Sequence, residues 1–167
     1  MSVHDAYVQG PAPSPASGQG ARQALTRKIR VLIVDDIAEN RAVLGVCCEQ
    51  FGVSYEAVDS GRGAVDCVRS GRFDLVFMDI LMPGMDGVDA TRAIRALPGE
   101  AAFVPIIAVT TAAEPRDVLH YRACGVTDVV SKPIDVSRLM EAMRTAVAEA
   151  RRMRRSRLRL ERIRLTA

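Results

Sequence analysis

The stretch FDLVFMDILMPGMDG, residues 73–87, decides how the rest of this chain is interpreted. It places a short apolar run, Leu75–Met78, directly before Asp79, and turn-forming residues follow. Apolar runs of four to eight residues that are bounded by turn residues are typical of buried parallel strands. We therefore predict a buried strand that ends at a carboxylate.

Three other apolar runs end in the same way, at a residue that carries chemistry. IRVLIV (29–34) precedes Asp35 and Asp36, PIIAV (105–109) precedes Thr110, and DVVS (128–131) precedes Lys132. In an open parallel sheet, ligands bind beyond the carboxyl ends of the strands. Each of these residues alone could be an ordinary turn, cap or strand-end residue. Together they predict three carboxylates, a hydroxyl and an ammonium at one edge of one sheet, a set that suits a divalent metal and a phosphoryl group.

Residues 28–148 alternate between strand and helix patterns, which predicts a doubly wound α/β fold with a five-stranded parallel sheet flanked by five helices. The predicted strands are 30–34, 54–58, 75–78, 106–109 and 129–130, and the predicted helices are 39–51, 61–70, 88–97, 115–123 and a long one from about 136. Gly52, Gly71 and Gly125 each follow a predicted helix, where we expect left-handed caps. Asp86, ahead of a helix, is expected to be a turn and cap residue.

The two ends of the chain differ from its middle. Residues 1–27 are rich in Gly, Pro, Ser, Ala and Gln without a period, which favours disorder. Residues 1–150 carry 15 Lys or Arg and 19 Asp or Glu, whereas residues 151–167 carry eight Arg and one Glu. We expect residues 149–167 to be a basic, arginine-rich extension of the last helix. Its apolar residues fit helical spacing poorly; they are Leu158, Leu160, Ile163 and Leu165.

The predicted site has a definite chemistry. Three converging carboxylates repel one another unless a cation lies among them, and hard oxygen ligands with room for water suit Mg²⁺. A central Asp79 could attack phosphorus and form an acyl phosphate. Lys132 would place a compact positive charge on the phosphoryl oxygens, and the hydroxyl of Thr110 could donate to another. A cis bond before Pro133 would fit a tight turn that aims the lysine.

The four motifs VLIVDD, FDLVFMDILMPGMDG, PIIAVTT and SKPI resemble, in this order, the receiver domain of two-component response regulators, over residues ~28–148. The resemblance implies a flavodoxin-like receiver fold. It also implies that Asp79 is the phosphoacceptor and that Asp35 and Asp36 hold Mg²⁺ together with Asp79. The backbone carbonyl of Leu81 matches a further protein ligand to the metal.

The resemblance also implies a switch. Thr110 matches the hydroxyl that moves toward the phosphoryl group, and Lys132 matches the lysine that pairs with it. The family usually has Tyr or Phe three residues before this lysine, and this chain has Val129. A valine has no ring to rotate, so readout through that aromatic is in doubt while the phosphoryl chemistry is not.

The function that these features predict is a phosphoacceptor in a phosphorelay rather than an enzyme. Phosphoryl would come from a histidine kinase or a histidine phosphotransfer protein, and the signal would leave by protein–protein interaction or by onward transfer. Fewer than 20 residues follow the domain, too few for a DNA-binding module of about 50 residues. A phosphohydrolase of the haloacid dehalogenase type is disfavoured, because those enzymes place Asp-x-Asp after the first strand.

The arginine-rich tail leaves alternatives open. It could be a solvated helix end, a surface for a protein partner or for self-association as a homodimer, or a site for nucleic acid or an anionic membrane surface. Nucleic-acid binding under receiver control is the alternative function. No aromatic residue is interleaved with the arginines, which weighs against it. No membrane-spanning stretch and no secretory signal are found, and the four cysteines lack metal-site spacing, so we expect reduced thiols and a cytoplasmic protein.

Overall fold

The chain forms a parallel sheet with helices on both faces in this computed structural model, which describes residues 28–165. The strands are β1 (Arg30–Val34), β2 (Ser54–Val58), β3 (Leu75–Met78), β4 (Ile106–Thr110) and β5 (Asp128–Ser131). The helices are α1 (Ala38–Gln50), α2 (Gly61–Ser70), α3 (Gly87–Arg95), α4 (Pro115–Ala123) and α5 (Val136–Leu165), and a short 3₁₀ helix (Gly99–Phe103) precedes β4. The predicted α/β architecture is confirmed. The disorder predicted for residues 1–27 lies outside the described residues.

The sheet has the strand order β2-β1-β3-β4-β5, with every pair parallel. The chain therefore moves outward from β1 in both directions, and the connections diverge between β1 and β3. This divergence opens a crevice at the carboxyl ends of those two strands. Val34 is in register with Met78, so the residues that follow them, Asp35 and Asp79, emerge side by side.

Two apolar layers, one on each face of the sheet, hold this edge in place. Because successive side chains of a strand point to opposite faces, Val31 and Ile33 pack in the layer that α1 and α5 cover. Leu32 and Val34 pack in the layer that α2 and α3 cover. All four side chains are fully buried. Burial on both faces explains the continuous apolar run that marked β1 in the sequence.

The predicted glycine caps are correct at two of three positions. Gly52 and Gly125 adopt φ angles of 68° and 103°, the left-handed conformation that an L side chain rarely adopts. Gly71 does not, because the chain leaves α2 in an extended conformation with φ −115°. Its N–H still donates to the carbonyl oxygen of Cys67 at 2.8 Å. The prediction of a left-handed cap at Gly71 was therefore wrong.

Helix α5 continues without a break to Leu165, although the apolar residues after Ala150 fit a single helical stripe poorly. Neither Gly nor Pro occurs after Pro133, and Arg and Leu are both good helix formers. The part of α5 after Ala150 also contacts the rest of the domain, since Arg154 Nε lies 3.2 Å from Glu100 Oε2. The Arg157 guanidinium stacks 3.7 Å from the centre of the Phe103 ring. Among the described helices, α5 included, no segment has the length and apolarity that a bilayer crossing requires.

The four cysteines carry free thiols. Cys47 and Cys48 are buried in the layer beneath α1. Burial raises the pKa of the Cys48 thiol to about 12, with smaller contributions from Cys47 and Glu49. Because the thiolate is the reactive form, Cys48 acts as a small core side chain.

Candidate functional site

Three carboxylates meet at the crevice between β1 and β3. Asp35, Asp36 and Asp79 each offer an oxygen, and these oxygens lie within 4.8 Å of one another. Asp35 is fully buried and Asp79 is 5% exposed. Burial of several like charges is unfavourable unless cations neutralise them. The structure thus brings together the three acids that the sequence predicted.

Local hydrogen bonds fix the position of Asp35. Its Oδ1 accepts from the backbone N–H of Ile37 at 2.9 Å and from the side-chain amide of Asn40 at 3.0 Å. The Arg41 guanidinium donates to the backbone carbonyls of Asp35 and Asp36, at 2.7 Å and 3.1 Å. The amino-acid pattern did not predict Asn40 and Arg41 as part of the site. Their only signal was their place in the first turn of α1, five and six residues after Asp35.

Lys132 reaches this cluster from β5, the far edge of the sheet. Its Nζ lies 2.7 Å from Asp35 Oδ2 and 3.4 Å from Asp79 Oδ1. The peptide bond between Lys132 and Pro133 is cis, and the Lys132 N–H donates to the carbonyl of Thr110 at 2.9 Å. The side chain of Lys132 is only 15% exposed. Its ammonium therefore supplies one of the positive charges that the acidic cluster requires.

The environment of Asp79 shifts the pKa of its carboxyl group. Burial raises its pKa above the ordinary value, and the charge of Asp35 adds to this rise. The Lys132 ammonium and the N–H of Ile80, which donates to Oδ1 at 2.9 Å, act in the opposite direction. In its ionised form this buried carboxylate has the lone pairs that a nucleophile requires.

One oxygen of the acidic cluster is unsatisfied. Asp36 Oδ1 is buried and, among the described residues, has no hydrogen-bond partner. A buried carboxylate oxygen without a donor costs free energy, and a bound cation would remove this cost. The donor set of oxygen ligands fits a hard divalent cation such as Mg²⁺.

Leu81 lies two residues beyond Asp79, in the loop before α3. The N–H of Gly87 donates to the Ile80 carbonyl at 2.9 Å and closes that loop.

Thr110 ends β4, next to β3 in the sheet, and is fully buried. Its Oγ1 accepts from the backbone N–H of Ala112 at 3.2 Å. A hydroxyl that accepts one hydrogen bond can still donate its own proton. The structure thus places the hydroxyl of Thr110 on the strand between the two that carry Asp79 and Lys132.

Val129 lies in β5 and is half-buried against an apolar cluster that includes Ile80 and Tyr121. Tyr121 comes from α4 and is 6% exposed. Burial raises the pKa of its hydroxyl, and the charges of three acids, Asp117, Asp86 and Asp79, raise it further. The aromatic ring in this cluster therefore comes from α4 rather than from β5, and the sequence pattern did not predict it. The prediction for Asp86 is confirmed, because its Oδ1 accepts from the Asp89 N–H at 2.8 Å and caps α3.

Comparison with known families gives one extended match. Residues 31–144 match the family model described as the response regulator receiver domain. This range contains all five strands except the first residue of β1, together with every residue of the site. It ends before the arginine-rich part of α5.

Curated relatives carry the similarity within much longer proteins. Sensor protein GacS of Pseudomonas syringae pv. syringae is 34% identical over 163 residues, which is 86% of this chain and 18% of that protein. The signal transduction histidine-protein kinase BarA of Escherichia coli strain K12 is 38% identical over 65% of this chain and 12% of its own length. Transcription factor SKN7 of Saccharomyces cerevisiae is 32% identical over 70% of this chain and 18% of its own length. The chain thus spans less than a fifth of each of these relatives.

Solved structures agree on the fold. The receiver domain of sensor histidine kinase PA1611 from Pseudomonas aeruginosa PAO1, with a magnesium ion coordinated in its active site cleft, has a TM-score of 0.67 and 30% identity, over 73% of this chain and 99% of that one. Chemotaxis protein CheY4 of Vibrio cholerae has a TM-score of 0.67 and 27% identity, over 72% and 99%.

Proposed function

This chain belongs to the response regulator receiver domain family of two-component systems, and we propose that it accepts a phosphoryl group on Asp79 from a histidine kinase or a histidine phosphotransfer protein. The observation that carries the proposal is the buried Asp79 carboxylate, 3.4 Å from the Lys132 ammonium and beside the acidic pair. Receivers in general are phosphoacceptors that act with such histidine proteins. The relative GacS is named as a sensor protein and BarA as a signal transduction histidine-protein kinase.

The reaction follows from the side chains present. A carboxylate oxygen of Asp79 attacks phosphorus, the bond from phosphorus to the donor's imidazole nitrogen breaks, and the electron pair stays on that nitrogen. The product is an acyl phosphate on Asp79. Lys132 pairs with a phosphoryl oxygen as the negative charge beside Asp79 grows, and the Thr110 hydroxyl donates to another. The N–H of Ile80 keeps the nucleophile oriented.

We further propose that Asp35, Asp36, Asp79 and the carbonyl of Leu81 hold Mg²⁺. When bound, the ion would neutralise the acidic cluster and the charge of the incoming phosphoryl group. Two observations support this assignment. Asp36 Oδ1 has no hydrogen-bond partner within residues 28–165, and three carboxylates converge within 4.8 Å.

The variant Asp36→Asn is expected to weaken Mg²⁺ binding at least tenfold, because one charged ligand becomes a neutral amide. Isothermal titration calorimetry with MgCl₂ measures the dissociation constant directly. Asp89→Asn is the matched control, since Asp89 is exposed on α3 and pairs with Arg92. Equal Mg²⁺ affinity in the wild type and in Asp36→Asn would remove Asp36 from the metal site.

An intact-mass time course tests the function itself. With Mg²⁺ and acetyl phosphate, we expect the chain to gain one phosphoryl group, and chelation of Mg²⁺ by EDTA should abolish the gain. Decay after removal of the donor then separates two roles, because rapid loss favours a relay intermediate and slow loss favours a switch that retains a partner. Absence of any gain, both from acetyl phosphate and from a phosphorylated histidine phosphotransfer protein, would contradict the proposal.

Val129 bears on how the phosphorylation signal leaves the domain. Val129 leaves β5 without a rotatable ring, so we place the output in protein–protein contact or onward phosphotransfer rather than in rotation of that side chain. The family match ends at residue 144, before the arginine-rich segment that begins at residue 151. It therefore supports the phosphoacceptor function and adds nothing to the nucleic-acid alternative.

A further inference from the structure

The last four turns of α5 carry an exposed apolar stripe with heptad spacing. Met153, Leu160 and Ile163 are each more than half exposed, at 57%, 60% and 56%. With Ser156 they are spaced by three, four and three residues, which is the a and d spacing of a heptad repeat. We refer to these four residues as the seam. At 1.5 Å per residue the seam is about 15 Å long.

Contacts of two arginines with the rest of the domain determine which way the seam faces. Arg154 and Arg157 lie 3.2 Å and 3.6 Å from Glu100 Oε2, and these residues follow one another at helical spacing. At about 100° per residue, Ser156 and Ile163 then point away from the domain. On this side of α5 the side chains of Met153, Leu160 and Ile163 keep more than half of their surface exposed, so another molecule can reach the seam.

The positions that flank the seam all carry the same charge. If Met153 is an a position, the neighbouring g positions are Arg152 and Arg159, and the e positions are Arg157 and Arg164. In coiled coils, the e and g residues form the salt bridges that select the partner. Of the four arginines, Arg157 is occupied with Glu100 and Phe103, and the other three are exposed.

We propose that the seam binds a helix of another protein, one with apolar residues at its a and d positions and Glu or Asp at its e and g positions. The uniform arginine flanks are the reason for this choice. A second copy of this chain would set arginine against arginine, since residues 151–167 carry eight Arg and one Glu. Nucleic acid or a lipid surface would use the arginines but has no need of an a/d-spaced seam. The proposal is independent of phosphoryl transfer at Asp79.

A labelled peptide tests the proposal on the full chain. The probe is a synthetic helical peptide of about four heptads, with Leu at a and d and Glu at e and g, and its counterpart has Lys at e and g. Fluorescence anisotropy is expected to show binding of the Glu peptide at least tenfold tighter than that of the Lys peptide. Raised salt should weaken this binding, because exposed charge pairs are screened.

Two leucines of the extension provide a matched pair of variants. Leu160 lies in the seam, whereas Leu158 is 47% exposed on the opposite side of the helix. Leu160→Ser should weaken Glu-peptide binding at least tenfold, and Leu158→Ser should leave it within twofold. A triple exchange to Glu at Arg152, Arg159 and Arg164 should reverse the preference to the Lys peptide. Circular dichroism of each variant verifies that α5 is intact.

Three results would overturn the proposal. The first is equal affinity for the Glu and Lys peptides, or equal loss in both leucine variants. The second is a dimer in analytical ultracentrifugation that Leu160→Ser dissociates, which would assign the seam to a second copy. The third is tight binding of duplex DNA or anionic vesicles that Leu160→Ser leaves unchanged, together with no binding of the Glu peptide.

Discussion

Asp79→Asn is expected to abolish phosphoryl incorporation completely, both from acetyl phosphate and from a phosphorylated histidine protein. The amide of asparagine is a poor nucleophile, and the other buried acid of the cluster, Asp35, is already engaged with Lys132 at 2.7 Å. Intact-mass spectrometry would show the wild type with one added phosphoryl group and the variant with none. The change of side chain is nearly isosteric, so the fold around β3 should persist.

The control for this variant is Asp59→Asn. Asp59 follows β2 at the same edge of the sheet but is exposed and lies outside the acidic cluster. Its exchange should leave the extent of phosphorylation unchanged. If Asp79→Asn still gained a full phosphoryl group, the acceptor would be another residue, and Asp79 would lose its assigned role.

The same variant should also stabilise the metal-free protein. The pKa of Asp79 is raised by burial and by Asp35, so the ionised carboxylate destabilises the folded state at neutral pH. Replacing it with a neutral amide should raise the free energy of unfolding by on the order of 1 kcal/mol at pH 7 without Mg²⁺. The difference in free energy of unfolding between the variant and the wild type should shrink as the pH falls toward 3.8, the ordinary pKa. The protonated Asp79 of the wild type is then neutral, as is the asparagine of the variant. Urea denaturation at pH 7 and at lower pH measures it.

Gly87→Ala is the second change with a large expected effect, a loss of about 3 kcal/mol in the free energy of unfolding. A Cβ at this position would lie 2.1 Å from the carbonyl oxygen of Asp79 and 2.8 Å from the Cα of Ile80. Both are backbone atoms, one of Asp79 itself and one of the residue after it, and neither can rotate away as a side chain would. Relief of the clash requires α3 to move away from the end of β3.

Because the atoms in the way belong to Asp79 and Ile80, Gly87→Ala should impair function as well as stability. We expect slower phosphorylation in the fraction that remains folded, together with the lower midpoint in urea. Gly63→Ala is the control, since its nearest contact would be the Ser60 hydroxyl at 3.2 Å and the residue lies within α2. A stability change below about 1 kcal/mol in Gly87→Ala would show that α3 shifts freely.

Much of the site could be predicted from the sequence, because the geometry of a parallel sheet brings the ends of its strands together. Asp35, Asp79, Thr110 and Lys132 each follow or end an apolar run, and the carboxyl ends of parallel strands meet at one edge. Their convergence therefore required only that the runs be strands in one sheet. Asn40 and Arg41 escaped prediction, because a hydrogen bond from the first turn of a helix to the end of a strand depends on how α1 leaves β1.

The arginine-rich end shows a different limit. Its apolar residues fall on two sides of a helix, so no single stripe marked it as helical, yet residues 151–165 are helical and tied to Glu100 and Phe103. These contacts join parts of the chain more than 50 residues apart. They determine which face of α5 turns toward the domain, and helical periodicity alone does not specify this.

The amino-acid sequence by itself determined the α/β alternation, the burial of the strands and the chemistry at their ends, because these depend on local patterns and on the geometry of any parallel sheet. Only the tertiary structure decided how the charges are paired. Lys132 lies 97 residues from Asp35 in the sequence, and its contact with that carboxylate at 2.7 Å depends on strand order, register and burial together. The Asp36 oxygen without a partner among residues 28–165, the close approach at Gly87 and the cluster shared by Tyr121 and Val129 also depend on how neighbouring elements pack. Local sequence patterns do not specify this packing.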